Sequence, residues 1–272
     1  MSWDVLTASE EWLVDFVHRT EAEHGMVGGL REGNRVIKLS DTIAVKYGYS
    51  VSIEEAATQD FAHQNVKSSI VRIPKVYRYL VAGTEPRRNK GYLFMEYVPG
   101  RTIDALDLSI HEDIVPRIAK IIEHLGQILG DGIPGPVGGG EPQGYLWGDD
   151  GADAIFGSVE ELNAWLNKRL ALRDKSIDVT PYPLVLCHMD LCRRNMILDE
   201  ETNAIWLLDW GFAGFYPRFF EIYTLRWSPP YDPSYKEPLI TATEELLKVT
   251  DEERRLKPLM QIARAAQLRY FQ

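Results

Sequence analysis

Between positions 188 and 211 the sequence sets three oxygen-bearing side chains, Asp190, Asn195 and Asp209, at a spacing suited to handling a phosphoryl group. Phosphoryl transfer asks for little covalent chemistry from a protein. It needs metal ions on the phosphates and a carboxylate beside the attacking hydroxyl. An amide oxygen from Asn195 and a carboxylate from Asp209 are hard ligands of the kind Mg2+ prefers, so these two are the candidate metal ligands. Asp190 is then left to orient the hydroxyl and accept its proton, with His188 beside it in a candidate catalytic pair. Gly211 lets the chain turn away directly after Asp209. Singly, each residue has an ordinary explanation: an Asp caps a turn, a His is satisfied in a core. The order His-x-Asp-Leu-x-x-x-Asn, followed by Asp-Trp-Gly, is what points to catalysis.

Short strands must deliver these residues. Leu184–Cys187 leads into His188, Met196–Leu198 follows Asn195, and Ile205–Leu208 ends at Asp209. Upstream, Thr7-Ala8-Ser9-Glu10 reads as a capping box that opens an amphipathic helix with Leu13, Phe16 and Val17 on one face. Arg35–Leu39 and Thr42–Tyr47, split by Ser40-Asp41, predict a β-hairpin. Ser52-Ile53-Glu54-Glu55 predicts a second capped helix to about Gln64. Lys75–Val81 and Gly91–Val98 read as strands with a polar turn, Thr84–Lys90, between them. After Pro99-Gly100 the pattern changes. Pro116–Leu129 has helical spacing, with Ile118, Ile121, Ile122, Leu125 and Ile128 apolar. Gly130–Gly151 is dense in Gly and Pro and reads as a long irregular loop, a kind of segment that is often functional. Ser158 caps a helix carrying Leu162, Trp165, Leu166 and Leu170, and Thr250 opens a closing helix to about Tyr270. An α+β architecture follows: a small β-rich N-lobe over residues 1–98 and a larger, mainly helical C-lobe over 99–272.

These segments resemble the aminoglycoside phosphotransferase/choline kinase-like family, which has a protein-kinase-like two-lobe fold. The likeness runs through Ile43-Ala44-Val45-Lys46, Phe94-Met95-Glu96-Tyr97-Val98-Pro99-Gly100, the catalytic segment, and Gly211–Pro217 with Phe220-Glu221. It implies that Lys46 contacts the α- and β-phosphates of ATP or GTP and that Glu55 holds Lys46 as an ion pair, with Glu54 a nearby competitor. It also implies that 94–98 is the hinge, where the backbone of Glu96 and Val98 meets the purine. The glycine-rich loop of protein kinases is missing. A phosphate-covering loop is therefore expected near Asn34–Asp41, with Ser40 as its contact. Met189 stands where protein kinases carry an arginine, and only nine residues separate Gly211 from Glu221. Both features turn the expectation from protein towards small-molecule hydroxyl acceptors, among them aminoglycosides or other cationic aminoalcohols. The alternative is a catalytically silent nucleotide-binding or scaffold protein on the same fold.

The bulk numbers are compatible with this reading. Of 272 residues, 45% are hydrophobic and 26% charged, an ordinary globular composition. No signal peptide or membrane-length apolar run is apparent, so a cytoplasmic protein without membrane partners is expected. The two cysteines, Cys187 and Cys192, make no disulfide framework. The net charge of −10 is unequally shared. Residues 1–98 hold 13 acids against 12 bases, and the remainder 27 against 18. That balance disfavours nucleic acid as a partner. It leaves Asp149, Asp150, Asp153 and Glu221 as acids that could face a cationic acceptor, although a solvated acidic surface accounts better for most of them and Glu221 is equally suited to a structural ion pair.

Overall fold

The computed structural model describes residues 4–83, 89–148 and 150–271. Most of the turn expected at Thr84–Lys90, and Asp149, lie outside the described residues. The first part of the chain is an antiparallel sheet in the order β1-β2-β3-β5-β4. Its strands are β1 (Gly28–Gly29), β2 (Arg35–Lys38), β3 (Ile43–Gly48), β4 (Val76–Ala82) and β5 (Lys90–Glu96). Two helices accompany it, α1 (Glu10–His24) and α2 (Ile53–Asn65). The period of two along each strand sorts its side chains between the faces. Val45, Tyr47, Tyr92 and Phe94 pack with Leu13 and Val17 of α1. Leu93 and Met95 pack instead with Ala56 of α2. Lys46, one residue from Val45 and Tyr47, is thereby assigned to the α2 face.

The remainder is mainly helical: α3 (Ile114–Leu125), α4 (Val159–Leu170), α5 (Phe219–Thr224), α6 (Pro233–Leu246) and α7 (Asp251–Tyr270). Five short strands accompany these helices: β6 (Arg101–Thr102), β7 (Leu184–Cys187), β8 (Met196–Asp199), β9 (Ala204–Leu207) and β10 (Gly214–Pro217). They form an antiparallel β10-β7 pair and a β6-β8-β9 sheet. One continuous core runs beneath them, with Trp147, Trp210, Tyr216, Phe219 and Phe220 fully buried. Each large apolar side chain so buried contributes about 1.5–3 kcal/mol.

Several local expectations change in detail. The first helix is capped by Ser9, whose side chain accepts from Trp12 N, and not by Thr7. Ser52 does accept from Glu55 N, but the Glu55 carboxylate does not close the box, because it pairs with Lys46. Only Thr250 and Glu253 complete the reciprocal pair among the described helices. α3 ends at Leu125, four residues earlier than its periodicity suggested. β2 occupies 35–38, so Asn34–Asp41 is a strand between two turns and not a single loop. α5 carries no polar face to betray it, since all six of its residues are buried. α6 contains an internal Pro238, which argues against a helix until tertiary packing holds it there.

Candidate active site

Lys46 is buried, and its Nζ lies 2.6 Å from Glu55 Oε1 and 2.8 Å from Asp209 Oδ1. Burial opposes the lysine's charge. The neighbouring carboxylates of Asp209 and Glu55 outweigh it and hold the ammonium pKa above its ordinary value. The surrounding protein atoms likewise disfavour ionisation of Asp209 although its side chain stays partly open, and the charge and hydrogen bond of Lys46 win there too, keeping that carboxyl below its usual range. Glu54, the competing partner, instead lies against Gly140 of the long loop.

The second half of the site hangs from β7. After Cys187 the chain leaves the sheet, and Met189 adopts φ +67°, a left-handed conformation costly for a side chain of its shape. Glu221 of α5 is what holds it. Its buried carboxylate accepts the backbone N–H groups of His188 and Met189. Burial dominates over these donors and pushes the Glu221 pKa up to about 7. Glu221 is therefore sealed beneath the loop, with its oxygens on that loop's own amides. The Met189 side chain is itself buried, beside Thr224, where an arginine would need a charged partner.

His188 is wholly buried with both ring nitrogens engaged. Its Nε2 lies 2.9 Å from the Leu208 carbonyl, and its Nδ1 accepts from Asp190 N–H at 3.3 Å. Those partners assign a neutral ring with the proton on Nε2. Burial lowers the His188 pKa, in keeping with that state. Leu208 N–H in turn donates to the Asn195 carbonyl at 2.8 Å. Leu208 thus joins the loop carrying Asp190 and Asn195 to the strand end carrying Asp209, which also sits at positive φ, +64°.

Asp190 is nearly buried. Asn195 Nδ2 donates to its Oδ2 at 2.9 Å and to its backbone carbonyl at 3.0 Å. With the amide nitrogen so committed, the Asn195 oxygen is turned away from Asp190. The Asp209 side chain remains 46% open. An amide oxygen and an accessible carboxylate at the junction of the two halves fit a hard divalent cation. Two further groups reach Asp190 that the sequence reading missed. Tyr145 Oη lies 3.3 Å from Oδ1, and Arg194 Nη2 lies 3.3 Å from Oδ2. Arg194 stood in plain view at i+4 from Asp190, but nothing in the sequence signalled Tyr145. It arrives on the irregular loop, which leans on α2 through Val137 N–H to Thr58 and passes over Phe212 at Gly144.

The remaining candidates sit at the other end of the first sheet. Glu96 donates its N–H to the Lys75 carbonyl at 2.9 Å, and Val98 is buried. Ser40 Oγ accepts from Thr42 and Ile43 N–H, tying the β2–β3 turn, whose Thr42 carbonyl receives Tyr97 N–H. Ser40 therefore lies at the Glu96 end of β3, six residues before Lys46. Asp153 lines a separate cavity of about 320 Å³ with Arg169, and Asp150 is exposed. No described helix is long and apolar enough to cross a membrane.

The profile of the phosphotransferase enzyme family (APH) matches residues 50–259, most of the chain. No curated protein matches by sequence. Solved structures do match by shape. A thermostable mutant of aminoglycoside phosphotransferase APH(4)-Ia, in ternary complex with AMP-PNP and hygromycin B, superposes with a TM-score of 0.55 at 17% identity, covering 95% of this chain and 88% of that one. APH(3'')-Id from Streptomyces rimosus gives 0.55 at 16% identity, covering 96% and 100%. The GDP and kanamycin complex of an APH(2")-type enzyme gives 0.51 at 12%, covering 94% and 89%. At such identities the likeness speaks for the fold, which is the expected α+β, protein-kinase-like one.

Proposed function

This chain belongs to the phosphotransferase enzyme family, and from that premise we propose that it moves the γ-phosphoryl group of ATP or GTP to a hydroxyl of a small molecule. The observation that carries the reading is the convergence at Leu208. One residue's backbone links the loop of Asp190 and Asn195 to Asp209, and Asp209 in turn meets Lys46. In this reading residues 1–98 hold the nucleotide and residues 99–272 the catalytic loop and acceptor. Because Glu96 N–H is already used within the sheet, its carbonyl and the Val98 N–H are the groups left to address the purine. Ser40 contributes through the shape of the turn it ties at that end. Lys46, kept charged and fixed by Glu55, neutralises the α- and β-phosphates.

Asn195 and Asp209 would hold Mg2+, which would offset the negative charge of the phosphates. Asp190 accepts the acceptor's proton as its oxygen forms the new bond to phosphorus and the nucleoside diphosphate departs. His188 is a positioning residue, since its neutral ring sets Asp190 against Leu208 and touches neither substrate. The decisive measurement is Mg2+-dependent transfer of labelled γ-phosphate across a panel of alcohols, run beside Asp190→Ala. Transfer that is lost in the variant supports the assignment. Equal turnover in both proteins would sink it and return the chain to a nucleotide-binding scaffold.

A further inference from the structure

The acceptor side of Asp190 carries arginine and aromatic groups where a polycation would need acids. Arg194 leans across the aspartate. Its Nη2 is 3.3 Å from Asp190 Oδ2 and 3.2 Å from Tyr145 Oη, its Nη1 is 2.5 Å from the Pro229 carbonyl, and 43% of its side chain is open to solvent. Tyr145 meets Phe212 edge-on, with ring centroids 5.3 Å apart. Arg264 donates to the Tyr145 carbonyl at 2.7 Å while lying 5.3 Å over the Trp227 ring, which fixes that wall in place.

Two acids at the start of α6 are paired with other arginines. Asp232 pairs with Arg193 at 2.9 Å, and Glu237 pairs with Arg226 at 2.5 Å. Glu221 is sealed under the catalytic loop, and Asp153 belongs to the cavity with Arg169. An ammonium group approaching Asp190 from this wall meets the Arg194 guanidinium first. Asp190 is the group that must take the hydroxyl.

The Arg194–Asp190 pair also bears on catalysis. Arg194 Nη2 already sits on Asp190 Oδ2, so a hydroxyl that reaches this carboxylate shares it with the guanidinium unless Arg194 finds another anion. A guanidinium has five N–H donors in a planar fork and takes a carboxylate or phosphate bidentately. An acceptor bearing such a group would draw Arg194 off Asp190 and free the base in one movement. We propose that the acceptor is an anionic hydroxyl compound, its carboxylate or equivalent anion held by Arg194 and its apolar body lying against Tyr145 and Phe212. This inference rests on the phosphotransferase reading above and narrows its acceptor away from aminoglycosides and cationic aminoalcohols.

Three compounds sharing one benzylic alcohol test it: 4-(hydroxymethyl)benzoate, its methyl ester, and 4-(hydroxymethyl)benzylamine, each supplied to the full chain with nucleotide and Mg2+. A charge-assisted bidentate contact predicts kcat/KM for the benzoate about tenfold or more above the ester, with the amine last. Arg194→Gln should collapse the benzoate-to-ester ratio to about one, and Arg194→Lys should restore part of it, since a point charge replaces the fork. Because the readout is a ratio, a general loss of activity in a variant cancels. Where turnover of the trio is too slow to rank, equilibrium binding to the nucleotide-loaded protein supplies the same ratio. An amine that equals or exceeds the benzoate, no preference at all, or a preference unchanged in Arg194→Gln overturns the inference while leaving phosphotransfer intact. Failure of the underlying reading looks different: no nucleotide binding and no Mg2+-dependent release of γ-phosphate under any condition.

Discussion

The two sides of the site are built on opposite principles. Around Lys46, charge stands against charge, and the three partners come from β3, α2 and the end of β9, the last 163 residues along the chain from Lys46. Around Asp190, most contacts are hydrogen bonds from neutral groups, and the loop itself is shaped by a buried Glu221 gripping two backbone amides. Opposite charges in a shielded setting attract strongly with little angular demand, so they can gather separate elements. A hydrogen bond is weaker but directional, which suits holding a short loop in a left-handed turn. The contrast predicts that the first side fails when a charge is left alone, and that the second fails when direction is lost.

The largest effect should come from Asp190→Asn. This change keeps shape and neighbours but removes the proton acceptor, lowering kcat by about 10²–10⁴-fold in a steady-state transfer assay, with the folded state intact. Lys46→Met probes the charged side. It strands Glu55 in the interior and should cost about 3–5 kcal/mol in urea unfolding. Glu55→Gln leaves Lys46 with Asp209 and should cost about half as much. Equal costs would mean that the charges are not what holds these elements together.

Glu221 sharpens the comparison through pH. Its folded pKa, about 7, lies above the ordinary 4.5, so between those values the folded protein holds a proton that the unfolded chain has lost. The stability it contributes is fully present below pH 4.5 and is lost as pH rises through 7, at about 1.4 kcal/mol per unit. Denaturation of wild type against Glu221→Gln should show that slope in the difference between the two. A flat difference would mean that the two amide donors keep the carboxylate ionised throughout. The smallest effect belongs to Tyr145→Phe. One neutral donor removed from Asp190 should change kcat by about two- to tenfold, in line with 0.5–1.5 kcal/mol for a single hydrogen bond.

How far the sequence could be read follows from range. The hairpin at β2–β3, the caps at Ser52, Ser158 and Thr250, and the strands that deliver Asp190, Asn195 and Asp209 are local matters of periodicity and turn chemistry, and they are found close to where the residues place them. α5 and α6 were not legible. One has no polar face to reveal a period and the other contains a proline, so packing alone defines them. The role of Glu221 had two readings until the fold showed its oxygens on the amides of His188 and Met189. Tyr145 had none, because its approach to Asp190 depends on the path of a loop without regular structure.

By itself the sequence determined the groups on offer at 188–211: two carboxylates, an amide, and the glycine that lets the chain turn away. Residue type and spacing suffice there, because both are covalent facts. Only the tertiary structure decided who meets whom across the chain. It set Lys46 between Glu55 and Asp209, it brought Arg194 and Tyr145 to Asp190, and it put Glu221 beneath the catalytic loop. Those meetings depend on how sheet, helices and loop pack against one another, and no short stretch of residues carries that information.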